Sequence, residues 1–248
     1  MPPLLSEWWN IGVKTEGSMR LDRYVSQAAG VSRAAVRALL RRGAVTVDGR
    51  VVKAADLHVP AGSRVELEGQ PLTLSGPRYF MLHKPAGVVC STSDGGHATV
   101  LSLLEEPRRE LLHPVGRLDV DTTGLVLLTD DGAWSHGITS PRRHRDKVYR
   151  ATLAEPLAAD AAARFAAGLL LQGEEKPTLP AQLDILAPTE ARVTLHEGRY
   201  HQVKRMFAAL GNRVIALHRE AIGGVVLDPA LAPGEYRALR ADEVEALR

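Results

Sequence analysis

Gly116-Arg117-Leu118-Asp119-Val120-Asp121-Thr122-Thr123-Gly124, running into Leu125-Val126-Leu127-Leu128-Thr129, is the stretch on which the reading of this chain turns. Its second half is a short apolar run rich in branched side chains, bounded by Gly124 and by the turn signal Asp130-Asp131-Gly132. That pattern predicts a buried strand. The first half is a loop with a glycine at each end and two carboxylates two residues apart. A core strand fixes what the loop before it presents, so such a loop suits chemistry. The same residues also make ordinary Asx-rich turns, because Asp and Thr hydrogen-bond their own backbone readily; from composition alone that is the commoner outcome. A third reading is the opening of an EF-hand calcium loop, with Gly124 at the sixth position. Asp130 in place of the usual twelfth-position Glu, an incomplete ligand pattern and Pro114-Val115-Gly116 in place of an entering helix argue against it.

Composition narrows the classes around this stretch. The 248 residues allow one or two domains with real cores, and 24% charged residues describe a soluble globular chain. No apolar run approaches the roughly 18 residues of a membrane-spanning helix. The one cysteine, Cys90, excludes an internal disulfide and a cysteine-based zinc cluster, which fits a reducing cytoplasm. Among Val88, Val89 and Ser91 it reads as a small core residue rather than a nucleophile.

The net charge of +2 is unevenly spread. Residues 1–18 and 71–248 each carry −1, while residues 19–70 carry +4. A near-neutral body with a basic module is the footprint of a polyanion partner.

Residues 1–18 lack the basic and apolar regions of a signal peptide and are expected to be a tail; Met19 is a candidate start. From there Leu21, Tyr24, Val25 and Ala28 follow a helical period that Gly30 stops. Ser32 is placed to cap a second helix to about Arg42, closed by Gly43. On that helix Arg33, Arg37 and Arg41 form a basic stripe with Arg42 beside it. Ala44–Val47 and Val51-Val52 read as strands around an Asp48-Gly49 turn. Two short helices, a small hairpin and an Arg stripe resemble the S4 RNA-binding module, here residues 19–68. A solvated helix face is the bland alternative, and the charge segregation favours RNA phosphates. Residues 69–77, with two Gly, two Pro and no charge, are the expected linker.

The remaining stretch, 78–248, alternates short strands and helices. Strands are expected at 78–82, 125–129, 147–153, 181–186, 191–196, 214–217 and 225–227. Helices are expected from a Thr99 cap to about Glu106, over 133–138, 158–167 and 201–210, and in the acidic C-terminal tail. Ser140–Arg145 is a basic loop containing Arg142 and Arg143, either solvated surface or a phosphate contact. Many antiparallel strands with a few helices imply an α+β body.

Gly116–Asp119 leading into Thr122-Thr123-Gly124-Leu125 resembles the catalytic motif of the RsuA-type pseudouridine synthases. His83-Lys84-Pro85-Ala86-Gly87 is similar to that family's first motif, Lys147-Val148-Tyr149 to its second, and Glu197–Met206 to its third. The resemblance covers about residues 19 to 240 and implies an N-terminal S4-like αα-hairpin module and a mixed, mainly antiparallel catalytic sheet. It implies isomerisation of uridine to pseudouridine in ribosomal RNA without a cofactor or metal; nothing in the sequence suggests an oligomer interface or a membrane span, so a monomer with no membrane association is expected. Asp119 is then the catalytic carboxylate, acting on C1′, on the C2′ proton or on uracil C6; the sequence leaves these open.

The same resemblance assigns the neighbouring roles. Lys204, where the family more often has Arg, would keep Asp119 charged, with loss of bidentate geometry. Tyr149 would stack on the flipped uracil or relay a proton. Arg117 would fill the vacated stack, and His201 and Gln202 of the third motif would contact RNA. Tyr79–Leu82, Thr129–His136 and Pro233–Arg237 look most like the enzymes of small-subunit (16S) rRNA. Large-subunit (23S) enzymes share the core motifs, and a non-enzymatic S4-type assembly factor is the alternative from another class.

Overall fold

Ser32 opens the second helix of the N-terminal unit as a side-chain cap. Its Oγ accepts the Ala35 amide at 3.2 Å, satisfying a donor that a helix start leaves unpaired. The computed structural model describes residues 18–74, 76–93, 95–140 and 145–248. The chain divides into two units, Met1–Gly76 and Pro77–Arg248. The expected tail up to residue 17, and Arg142 and Arg143, lie outside the described residues.

The N-terminal unit runs β1 (Met19–Arg20), α1 (Leu21–Ala29), α2 (Arg33–Arg41), β2 (Val45–Val47), β3 (Arg50–Val51), β4 (His58–Val59), β5 (Val65–Leu67) and β6 (Gln70–Leu72). Leu21 and Val25 of α1 pack with Val36 and Leu40 of α2 over Val45, Val59 and Val65. Those are the periodic apolar positions; burying them leaves Arg33, Arg37 and Arg41 on the exposed side. The expected linker begins inside this unit. Gln70–Leu72 returns along Val65–Leu67 through the Glu68-Gly69 turn, both of whose residues have positive φ. Gly69 is thus a turn residue, and Pro71 lies on an edge strand, where a missing N–H costs no ladder bond.

The second unit runs β7 (Tyr79–Lys84), β8 (His113–Val115), β9 (Thr123–Thr129), α3 (Gly132–Thr139), β10 (Lys147–Leu153), α4 (Ala161–Ala167), β11 (Gln182–Ala187), β12 (Glu190–Leu195), α5 (Gln202–Ala209), β13 (Val214–Ile222), β14 (Val225–Val226), β15 (Tyr236–Ala238) and α6 (Ala241–Ala246). Among the described residues the sheet order is β11-β12-β10-β13-β9-β7-β15, with β14 on β13 and β8 on β9. The pairs are antiparallel except β9 with β13. With the N-terminal helix pair, this is the α+β architecture expected.

Both faces of the sheet are covered at β9. Leu125 and Leu127 join Met81, Trp134, Ile138 and Leu247 on one side. Val126 and Leu128 join Phe80, Leu82, Phe165 and Phe207 on the other. That two-sided burial explains an unbroken apolar run in place of alternation.

Two expectations for this unit are corrected. The helix from Thr99 is only a 3₁₀ turn, Val100–Leu103, and Thr99 makes no side-chain cap bond. Arg109 Nη1 instead donates to the Leu104 carbonyl at 2.7 Å, and Leu104 itself is extended. The strand expected to stop at Leu217 continues to Ile222. His218-Arg219-Glu220 look like a polar stop, yet each finds a partner from another strand. Thr123 Oγ1 lies 2.8 Å from His218 Nδ1, Arg219 Nε donates to the Leu125 carbonyl, and Arg150 and Arg192 donate to Glu220.

Candidate active site

The loop carrying Asp119 spans β8 to β9, and its main chain is held from below. Lys84, at the end of β7, is fully buried. Its Nζ donates to the carbonyls of Thr122 at 2.7 Å, Pro85 at 3.0 Å and Val120 at 3.2 Å. Gly87 N–H also donates to Val120 O at 2.8 Å, and Leu118 N–H donates to Cys90 Sγ at 3.3 Å. From β13, Arg219 Nε donates to Leu125 O at 2.8 Å and Nη1 reaches Arg117 O at 3.5 Å. A short turn, Thr122 N–H to Asp119 O at 3.1 Å, completes the loop. Backbone anchored this thoroughly fixes the side chains it carries.

Gly124 makes the junction possible. It lies opposite Arg219 in the parallel β9–β13 pair, has φ +105°, and a Cβ there would fall 2.3 Å from the Arg219 carbonyl oxygen. No other residue fits such an approach.

Above the loop, the half-buried Asp119 carboxylate is clasped from α5. Lys204 Nζ lies 2.9 Å from Oδ2 and His201 Nε2 lies 3.3 Å from Oδ1. Lys204 Nζ also donates to Asp121 Oδ1 at 2.6 Å. Burial works to lower the Lys204 pKa, but hydrogen bonds to Asp121 and Asp119 outweigh it and raise the pKa above the ordinary lysine value. The same hydrogen bond from Lys204 holds the Asp121 carboxyl below its ordinary range. The loop that mimics a calcium site thus has its cation built in: one ammonium bridges its carboxylates and another gathers its carbonyls.

Burial drives Lys84 below the ordinary lysine value, and Lys147 is lowered by burial and then by Arg219. Arg219 is 1% exposed, and among the described residues its Nη2 has no hydrogen-bond partner.

The remaining sequence-predicted residues fall in different places. Tyr149 lies opposite Arg219 across β10–β13, so Tyr149, Arg219 and Gly124 form one row across the sheet. Its ring joins the core cluster that also holds Leu118 and, from α5, Val203 and Met206. Tyr149 is buried, 9% exposed, on the sheet face against which Val203 and Met206 of α5 pack. Arg117 is exposed beside Asp119. Gln202, expected to contact RNA, is turned inward and 4% exposed. Its Oε1 accepts the Arg199 amide at 2.8 Å and its Nε2 donates to Glu197 Oε1 at 2.8 Å, so its polar groups brace the turn into α5. In the N-terminal unit Arg33, Arg37, Arg41 and Arg42 are exposed, and Arg42 pairs with Glu68.

Sequence reasoning placed Lys84 in the first motif without a role, read Cys90 as a core residue, and did not single out Arg219. A lysine closing an otherwise apolar strand and an arginine two residues beyond Leu217 were the available signals.

A family model described as RNA pseudouridylate synthase matches residues 78–209, and one described as the S4 domain matches residues 19–65. The chain belongs to the RNA pseudouridylate synthase family. It is similar to the ribosomal small subunit pseudouridine synthase A of Yersinia pestis, with 56% identity over 230 residues, 92% of this chain and 98% of that protein. The protein of the same name from Escherichia coli strain K12 is 54% identical over 230 residues, 92% of this chain and 100% of the other. A crystal structure of a pseudouridylate synthase matches with TM-score 0.69 at 48% identity, covering 93% of this chain and 100% of that one. Among the described residues no helix is long and apolar enough to cross a membrane.

Proposed function

We propose that this chain isomerises a uridine of small-subunit ribosomal RNA to pseudouridine, with Asp119 as the catalytic carboxylate. The observation that carries the reading is the clasp: an accessible carboxylate on a pinned loop, paired with Lys204 and His201. The reaction breaks the C1′–N1 bond, turns the uracil and joins C1′ to C5; C5 loses a proton and N1 gains one. It balances without oxidant or reductant. What it needs is a positioned carboxylate in surroundings that tolerate a uracil anion. Lys204 pairs with Asp119 and orients it. Tyr149 meets the extruded uracil, and Arg117 fills the gap it leaves. The arginines of α2 contact phosphates without reading sequence. The small subunit is favoured over the large by the relatives' names and their nearly full-length similarity. The chain works as a monomer in the cytoplasm.

Tritium release from C5-labelled uridine in a small-subunit rRNA fragment tests this directly. Wild type should release label, and Asp119→Asn should fall to background while binding RNA within about threefold of wild type, as removal of one side-chain charge among many phosphate contacts allows. Retention of label by the wild type would leave an RNA-binding assembly factor as the reading. Release only from large-subunit fragments would move the target.

A further inference from the structure

Tyr200 is 76% exposed, immediately before α5. One face of its ring lies on His201, with centroids 3.8 Å apart and planes 21° from parallel; the other face is open. The His201 ring in turn reaches Asp119, 3.3 Å from Nε2 to Oδ1. An open aromatic face therefore stands one ring layer from the group that touches the catalytic carboxylate.

The local backbone does not account for this pair. His201 has φ 49° and ψ 35°, left-handed for a residue with a Cβ, and its side chain makes no helix-cap bond. Glycine or asparagine would take that conformation with less strain. What the imidazole adds is contact with Asp119 and support for Tyr200. The turn is rigid on both sides. Arg199 donates to the carbonyls of Lys176 and Pro177, and Arg205 Nη1 donates to Tyr200 O at 3.2 Å and to Glu174 Oε1 at 2.9 Å. A flat ring on a fixed turn loses little freedom when something stacks on it.

We propose that Tyr200 is a stacking platform for an unpaired nucleobase flanking the target uridine. This rests on the RNA-isomerase reading above. Every base has a π-face, and aromatic side chains beside nucleic-acid sites bind bases this way. Two ring layers from His201 is the reach of a neighbouring nucleotide rather than of the uracil at Asp119. Tyr200 therefore positions substrate and stays outside the bond-making steps.

The test combines protein and RNA changes. Turnover is measured for wild type, Tyr200→Phe and Tyr200→Ala on the normal rRNA fragment and on fragments abasic on the 5′ or the 3′ side of the target. Tyr200→Ala should lower kcat/KM about tenfold, mostly through KM, and Tyr200→Phe should stay within about twofold, as expected for ring stacking. An abasic site on one flank should cost the wild type a similar factor and cost Tyr200→Ala nothing further, the signature of a shared interaction. A tyrosine that only supports the fold would give losses that multiply. Wild-type kcat/KM in Tyr200→Ala, or undiminished abasic losses on both flanks, would overturn the platform and leave the isomerase reading standing. A wild type that converts no uridine in any rRNA fragment would overturn both.

Discussion

Lys84 Nζ donates to the carbonyl of Thr122 at 2.7 Å from a fully buried position, so one ammonium group is a main support of the Asp119 loop. Lys84→Met keeps most of the volume and removes the donor. Val120 O retains Gly87 N–H, whereas the buried Thr122 O and the half-buried Pro85 O lose the lysine. One buried acceptor left unsatisfied costs about 1–3 kcal/mol, so the urea midpoint should fall accordingly. Turnover should fall further than RNA affinity, because the loop carries the carboxylate.

Gly124 faces the Arg219 carbonyl closely enough that Gly124→Ala places a Cβ 2.3 Å from that oxygen. The β9–β13 pair must then separate, at about 3 kcal/mol or more. Gly132→Ala is the control: nothing lies within 4 Å of its added Cβ, and it should be neutral or stabilising by up to about 1 kcal/mol at a helical position. Thermal melts of the two variants should separate widely.

Lys204 is held above its ordinary pKa by hydrogen bonds that outweigh burial. A raised lysine contributes its interaction fully below the unfolded value of 10.5 and loses it only as pH climbs through the folded value. Asp121, held low, loses its share only as pH falls below 3.8. The Lys204–Asp121 pair should therefore add no limb to the wild-type rate profile across the neutral range. Lys204→Met should lower kcat by about 100-fold, the scale for losing one positioned charge partner, and Lys204→Arg should restore part of it. Lys204→His, with an ordinary pKa of about 6.5, should be more active at acid than at alkaline pH. A flat profile for that variant would remove charge from the role of Lys204.

Arg33, Arg37 and Arg41 are exposed on one helix, and among the described residues none of them forms an ion pair. Replacing all three with alanine should weaken RNA binding. The plot of log affinity against log salt should flatten by about 0.7–0.9 for each phosphate that is no longer neutralised. Unchanged affinity and slope would take this face out of RNA binding.

Much of the fold was legible because its signals are local. Ser32 as a cap, Gly30 as a stop, and the period of Leu21, Tyr24 and Val25 each depend on residues within a turn or two. The misreadings came where a distant partner changes what a residue means. Pro71 beside Gly69 resembles a linker until β5 pairs with the segment. His218-Arg219-Glu220 resembles a strand end until Leu125, Arg150 and Arg192 supply acceptors and charges. Gln202 resembles a surface amide until Glu197 and the Arg199 amide engage it.

The sequence alone determined the helix pair, the buried strand after Gly124, and through its motifs the presence of Asp119, Lys204 and Tyr149 in one family pattern. Periodicity, capping and motif spacing are written within short windows of chain. The tertiary structure alone decided that Lys204 bridges Asp119 and Asp121, that Lys84 and Arg219 hold the loop beneath them, and that Tyr200 leans on His201. Those interactions join residues from 36 to 102 positions apart in the case of the loop supports. Hydrogen bonds and charge pairs are set by distances of a few ångströms in space, which chain order does not encode.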